Sequence, residues 1–251
     1  MGKSTTRIRS VARAAKALRL VAEREGRTAA EIASVLACPR PTCYHLLNTL
    51  EAEGLLSKDP RRRYHLGPLV GALSDALIRE LALPEHVVTA LYRLAETTGE
   101  TAHASGWHNG EVAVLASIEG THAIRVAGLH RGFTGCANAR SAGKLLLALA
   151  TPAVRNAYLR THPLEALTRH TIVQPDTLLA ELARIREVGY ALDKEEFRDG
   201  VACVSAAVIE NGLPSAVITV SAPVDRFLDR QDELIEAVVA AAGDLSSEAA
   251  A

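Results

Sequence analysis

Residues 28–66 read TAAEIASVLACPRPTCYHLLNTLEAEGLLSKDPRRRYHL, and the order of parts in this stretch decides the fold at the front of the chain. Thr28 and Glu31 have the spacing of a capping box, in which hydroxyl and carboxylate each accept a backbone N–H at a helix start. Ile32, Ala33 and Leu36 follow on one face. Pro39 stops that helix. Pro41 suits the first turn of the next one, where its missing N–H costs nothing. From Thr42 to Glu53 the spacing predicts a second helix, with Cys43, Leu46, Leu47 and Leu50 on the face for burial. Pro41, Tyr44, His45 and Asn48, edged by Thr42 and Thr49, form the opposite face. A merely solvated face favours Lys and Glu, whereas hydroxyl, imidazole and amide groups donate to and accept from base edges in a major groove. Leu55 and Leu56 then enter one strand and Arg63 to Leu66 a second, with Asp59-Pro60 opening the turn. Arg61, Arg62 and Arg63 at the tip are expected to meet phosphates or a minor groove. Helix, turn, helix and basic hairpin together predict a winged helix-turn-helix over residues 1–66, with double-stranded DNA as partner.

Upstream, Ile8, Val11, Ala14, Ala15, Leu18, Val21 and Ala22 recur at helical steps and predict an amphipathic helix that Gly26 ends. Met1 to Thr6 reads as a mobile polar tail. Lys3, Arg7 and Arg9 make the start of the chain basic, and Arg9 and Arg40 join the expected DNA contacts. Charge is divided in the same way. Residues 1–66 hold thirteen Lys or Arg against six Asp or Glu, a net +7, while the remainder holds fifteen against twenty-three, a net −8. A basic part that meets a polyanion and an acidic part with another task fit that division.

Downstream, residues 67–83 carry Leu69, Val70, Leu73, Leu77, Ile78 and Leu81, the stripe of a linker helix that Pro84 ends. The rest, 84–251, alternates periods. Glu85 to Thr98 is helical with Val88, Leu91, Leu94 and Ala95 inward. Thr101 to Trp107, Val112 to Ile118 and Ala123 to Ala127 read as strands, the first two joined by the hairpin signal Asn109-Gly110. Ala139 to Ala150, Pro152 to Arg160 and Asp176 to Val188 are helical. Tyr190 to Asp193, Val201 to Ile209 and Ser215 to Ser221 return to strand, with a turn at Asn211-Gly212, and Arg230 to Leu245 closes as a helix. Helices bracketing an antiparallel sheet make this an α+β domain.

At 251 residues, 48% of them hydrophobic, the chain has material for two cores. No leader-like segment or long apolar run is present, so Cys38, Cys43, Cys136 and Cys203 are expected as reduced thiols in a cytoplasmic protein without membrane attachment. The cysteines form no CxxC, and the nine histidines form no HxH or HExxH. Cys203 with His103, and Asp193 with Glu195 and Glu196, lack nucleophile–base or metal spacing. No catalytic residue, metal or cofactor is assigned, and the chain is read as a non-enzyme.

Taken in order, the residues resemble the IclR family of bacterial transcription regulators. The match runs through Arg9-Ser10-Val11, Thr42 with Leu46-Leu47 and Thr49-Leu50-Glu51, Glu53-Gly54-Leu55 and Arg63-Tyr64-His65-Leu66-Gly67. It continues with Thr98-Gly99-Glu100-Thr101, Ala142-Gly143-Lys144, Gly189-Tyr190-Ala191, Gly200-Val201, Cys203 and Val220-Ser221-Ala222-Pro223. The resemblance implies a GAF-like effector-binding domain and a homodimer or homotetramer on a palindromic site. It departs from the family at Pro41, Tyr44 and His45, which alters the donor set offered to DNA, so operator sequence is not carried over from relatives. Small residues crowd the helix start around Asn138 to Gly143, and helix N-termini suit carboxylates. By residue matching, the resemblance places effector contacts on Ser141, Ala142, Asp193, Cys203, Thr219 and Ser221. Arg140 replaces a small residue of relatives and is expected to pair with Asp193 or grip an anionic effector, a small organic acid. The alternative from another class is a small-molecule sensor whose winged domain docks proteins.

Overall fold

The computed structural model describes residues 8–24, 26–126 and 129–248; the polar tail expected at Met1–Thr6 lies outside them. The chain divides into two compact units, Met1–Glu80 and Leu81–Ala251. The first holds α1 (Arg9–Glu23), β1 (Arg27–Thr28), α2 (Ala29–Leu36), α3 (Arg40–Ala52), β2 (Leu56–Lys58), β3 (Arg63–Leu66) and α4 (Pro68–Glu80). The capping box is present: Thr28 Oγ1 accepts from Glu31 N and Glu31 Oε2 accepts from Thr28 N at 2.7 Å. Ala37 takes a left-handed conformation to end α2, and Pro41 sits in the first turn of α3, which begins two residues before the expected Thr42. Ile32, Leu36, Cys43, Leu47, Leu50, Leu56 and Tyr64 close one core with Ala17, Leu20 and Val21 of α1.

That last set corrects the stripe expected on α1. Val21 is buried and Ala14 and Leu18 pack against the core as expected, but Ile8 and Val11 are more than 60% exposed, Ala15 and Ala22 are also exposed, and Ala17 and Leu20 are buried in their place. The apolar face of the helix is wider than the surface that covers it, and its margin at Ile8, Val11, Ala15 and Ala22 stays open. The apolar stripe of α4 is likewise open: Leu69, Leu73, Leu77 and Ile78 are each more than a third exposed. The wing is a three-stranded sheet in the order β1-β3-β2, gaining a strand at Arg27–Thr28 that the sequence did not announce.

The second unit runs α5 (Glu85–Thr98), β4 (Thr101–His108), β5 (Glu111–Ile118), α6 (Ser141–Leu149), α7 (Pro152–Thr161), α8 (Pro175–Val188), β6 (Tyr190–Lys194), β7 (Val201–Glu210), β8 (Leu213–Pro223), α9 (Val224–Asp229) and α10 (Gln231–Glu248). Its antiparallel sheet has the order β5-β4-β8-β7-β6. Turn residues Asn109-Gly110 and Asn211-Gly212 take positive φ, as two-residue hairpins with right-handed strand twist require. On α5, Val87 rather than Val88 is buried. The expected strand Ala123–Ala127 is absent over 123–126, and Ala127 lies outside the described residues. The edge of β5 instead bonds at Val114 to Phe133 O and Gly132 N, so no third strand continues the hairpin.

Strand alternation sorts this sheet chemically. Ala102, Ala104, Ala202, Val204, Ala206, Ile218, Val220 and Ala222 face α5 and α10 and form one apolar core. The alternate positions include His103, Ser105, Cys203, Ser205, Thr219 and Ser221, all buried. Burying this many polar groups is tolerable only where they bond to one another or to something in the space above them.

Candidate functional site

On α3, Pro41, Thr42, Tyr44, His45 and Asn48 are exposed while Cys43, Leu47 and Leu50 anchor the helix. Leu46 is only partly covered, and Thr49 turns its hydroxyl back to His45 O at 2.9 Å. Arg40 stands at the first helical position and Arg9 at the start of α1, both exposed. The wing tip is shaped by Asp59: its Oδ1 accepts from Arg63 N at 2.7 Å, its carbonyl accepts from Arg62 N at 2.9 Å, and Arg62 takes φ 60°. The Arg63 backbone N–H holds the Asp59 carboxyl below its usual range, with His65 adding to the effect. Arg61 and Arg62 therefore project from a rigid turn. Arg63 is placed differently from the expectation. It lies in β3, and its Nη1 donates to Gly26 O at 2.8 Å, bracing the start of the sheet.

In the second unit, the polar side of the sheet meets the N-terminus of α6 around a cavity of about 20 Å³, room for a water-sized group in this closed arrangement. Arg140, Ser141, Ala142, Asp193, Cys203 and Ser221 line it, as six of the seven expected effector residues. Thr219 does not; its hydroxyl bonds Ser205 Oγ at 2.7 Å, which bonds Ser141 Oγ at 2.7 Å, a chain behind the wall. The first turn of α6 sits close beneath the preceding loop, because a Cβ on Gly143 would meet Ala137 O at 2.4 Å.

Arg140 decides the electrostatics. Its residue surface is 3% exposed. Nη1 donates to Val112 O and Gly135 O, and Nη2 to Ser105 Oγ, each at 3.3 Å. A guanidinium has five N–H groups, so two remain uncommitted. Among the described residues no carboxylate oxygen lies within 4.0 Å of it, so the expected pair with Asp193 is not formed. The Asp193 Oδ1 instead accepts from Glu196 N at 2.8 Å and Phe197 N at 3.3 Å. Burial, with Glu196 nearby, pushes the Asp193 carboxyl up to about 7.

His103, Val126, Leu129, Phe197, Arg198 and Val201 also line the cavity and were not assigned from sequence. Strand period could have found His103, which pairs in register with Thr219. Its Nδ1 is buried without a partner. Burial, then the Arg140 charge, lowers this imidazole to about 3, so it is neutral. Cys203 shares the cavity but bonds Ser221 Oγ at 3.0 Å, and burial raises its thiol; the two do not form a nucleophile–base pair. Behind Asp193, the fully buried Lys144 pairs with Glu196, with Glu181 3.9 Å away. Thr171 Oγ1 donates to Glu196 O at 2.6 Å, and Thr168 Oγ1 to Glu195 O at 2.6 Å, fixing the loop that carries Phe197. Asn138 faces away and donates to Ile172 O at 3.0 Å.

Residues 10–60 match the IclR helix-turn-helix domain, and residues 75–247 match the bacterial transcriptional regulator IclR C-terminal domain. The chain is 36% identical over 242 residues to the HTH-type transcriptional regulator BhcR of Paracoccus denitrificans (strain Pd 1222), covering 95% of this chain and 86% of that one. Its fold is similar to the crystal structure of Thermotoga maritima IclR, with TM-score 0.70 at 24% identity over 94% of this chain and 98% of that one. It is also similar to an IclR homolog from Microbacterium hydrocarbonoxydans complexed with 4-hydroxybenzoate, with TM-score 0.70 at 20% identity over 96% and 99% of the two chains.

Proposed function

This chain belongs to the IclR family of bacterial transcriptional regulators, and we propose that it binds a palindromic operator as a dimer and answers to a small organic acid held at Arg140. The first unit supplies the DNA contacts. His45 and Asn48 on α3 read base edges, while Arg9, Arg40, Arg61 and Arg62 neutralise phosphates, the usual division between sequence choice and affinity. Two open apolar patches, Ile8 and Val11 at the start of α1 and Leu69, Leu73 and Leu77 on α4, support self-association of this unit. A two-fold dimer presents one recognition helix per half-site, so the site repeats about one helical turn, roughly 34–36 Å, apart.

The observation that carries the acid reading is the buried Arg140 guanidinium with, among the described residues, no carboxylate within ion-pair distance. A buried cation is tolerated when an anion meets it. Arg140, with two N–H groups uncommitted, and Ser141 and Ala142 at the α6 N-terminus line one cavity, and guanidinium and helix N-terminus both suit a carboxylate. The Microbacterium homolog, which holds the carboxylate 4-hydroxybenzoate, supports the same class of ligand. An effector that prefers one arrangement of the DNA-binding units shifts that balance by its differential affinity and by no more. The test is selection of genomic fragments on the purified full chain, followed by footprinting of the enriched duplex. Two symmetric protected half-sites are expected. Retention of no duplex at low ionic strength, or a footprint without symmetry, overturns the reading.

A further inference from the structure

The segment 119–126, which follows β5, lies along the start of β4 and ends at Val126 over the cavity. It is braced internally by Arg125 Nε and Nη2 on Glu119 Oε2, at 2.9 and 2.6 Å. It sits flush on the strand start: His122 N donates to Gly99 O at 3.3 Å, and a Cβ on Gly120 would meet that same oxygen at 2.2 Å. Two side-chain ties then hold its far end. Thr101 Oγ1 donates to Val126 O at 2.9 Å, and Arg226 Nη2 donates to Ile124 O at 2.8 Å.

Arg226 can reach Ile124 because Glu100 holds it. The Glu100 carboxylate is 0% exposed and takes both prongs of the Arg226 guanidinium, Nε on Oε1 and Nη2 on Oε2, the latter at 2.8 Å. Arg230 Nη1 at 4.0 Å and His122 Nε2 at 3.7 Å complete its surroundings. Neither Glu100 nor Arg226 lines the cavity. Val126 and Leu129, together with His103 and Ser221 of the sheet, line both the main cavity and a neighbouring recess that reaches Ser117 and Glu119, so the end of the strap borders both spaces.

We propose that Glu100 and Arg226 form a latch that keeps this strap shut over the cavity, and that this pair of positioning residues sets how often the cavity opens to admit or release an occupant. The latch follows from the geometry alone; that the occupant is an effector rests on the function proposed above. A bidentate pair around a buried carboxylate is strong only while both partners are present, and losing one leaves the other uncompensated. Arg226 is partly exposed, with 28% of its side chain accessible, so water can reach the outer half of the latch when it breaks.

Cys203 gives a ligand-free readout, because its thiol lines the cavity and is sealed in the closed form. The experiment is timed alkylation of the native full chain by iodoacetamide with mass spectrometry of each cysteine peptide. The variants are Arg226→Ala, Arg226→Lys and Glu100→Gln, with Leu234→Ala in the apolar core as a control that destabilises the same unit by leaving a cavity. The expected result is that Arg226→Ala speeds Cys203 modification roughly tenfold or more, the factor for losing one charge-assisted hydrogen bond, with Arg226→Lys intermediate. Cys136 is expected to be unaffected. The proposal is overturned if Cys203 reacts at the parent rate in Arg226→Ala and Glu100→Gln, or if Leu234→Ala accelerates it as much. A working latch with no acid bound at any concentration would discard the effector reading alone.

Discussion

Replacing Arg140 by Met separates structure from recognition, because the two effects have opposite signs. The guanidinium is almost wholly buried, and burying a cation costs several kcal/mol even after relaxation. Against this stand three hydrogen bonds of 3.3 Å, each at the weak end of the usual range, about 0.5 kcal/mol, and a cation–π contact with the Phe133 ring at 5.3 Å, about 0.5–2 kcal/mol. Met has similar length and no charge, so Arg140→Met is expected to be neutral or to gain about 1–2 kcal/mol, the gain raising Tm by roughly 2–8 °C. Binding moves the other way. Two charge-assisted hydrogen bonds to a carboxylate are worth about 3 kcal/mol together at the low end, so affinity falls about a hundredfold or more. Thermal shift identifies binding acids on the parent chain, and calorimetry then compares the parent with Arg140→Met. Undiminished acid affinity in the variant, or a loss of more than about 2 kcal/mol in stability, would refute the reasoning and make Arg140 a structural residue.

Four further outcomes follow from the same contacts. The Asp193 carboxyl sits at about 7 in the folded chain against an ordinary 3.8, so its contribution is full below pH 4 and lost as pH rises through 7. Thermal melts of the parent should therefore lose stability across that window, by at most about 4 kcal/mol, and Asp193→Asn should flatten the profile; an unchanged slope contradicts the assignment. Lys144→Met strands Glu196 in the interior and is expected to cost about 3–5 kcal/mol by urea unfolding, whereas Lys144→Met with Glu196→Leu should recover most of it. In duplex-binding titrations, His45→Ala and Asn48→Ala should weaken specific binding and spare non-specific binding, while Arg62→Ala should weaken both and lower the salt slope by about 1. Leu73→Glu, on an open apolar stripe, should shift sedimentation toward the monomer; an unchanged distribution removes α4 from the self-association surface.

The local signals in the sequence were those set by nearest neighbours. Thr28 and Glu31 make the capping box their spacing implied, and Asn109-Gly110 and Asn211-Gly212 turn as hairpins because left-handed residues are cheap there. Six expected effector residues line one cavity. What periodicity could not decide was how much of the wide apolar face of α1 is covered, since Ala17 and Leu20 are buried while Ile8 and Val11 stay open, and only packing draws that line. Ala123–Val126 looked like a strand, yet its carbonyls at Ile124 and Val126 accept from the side chains of Arg226 and Thr101 rather than from β5. The tie from Arg63 to Gly26 spans 37 residues, and that from Arg226 to Ile124 spans 102. No local pattern announces contacts that chain closure at such distances creates. His103 was legible in part: alternation put it on the polar face, but its neutral, unpartnered imidazole follows from burial beside Arg140.

The most direct measurement is fluorescence anisotropy of the full chain on its selected operator duplex, with and without the acid found by thermal shift, for the parent and for Arg140→Met. The account predicts that saturating acid changes the parent's Kd by about 5- to 150-fold, the range of such couplings, and leaves that of Arg140→Met unmoved. An identical Kd for the parent with and without bound acid would contradict it.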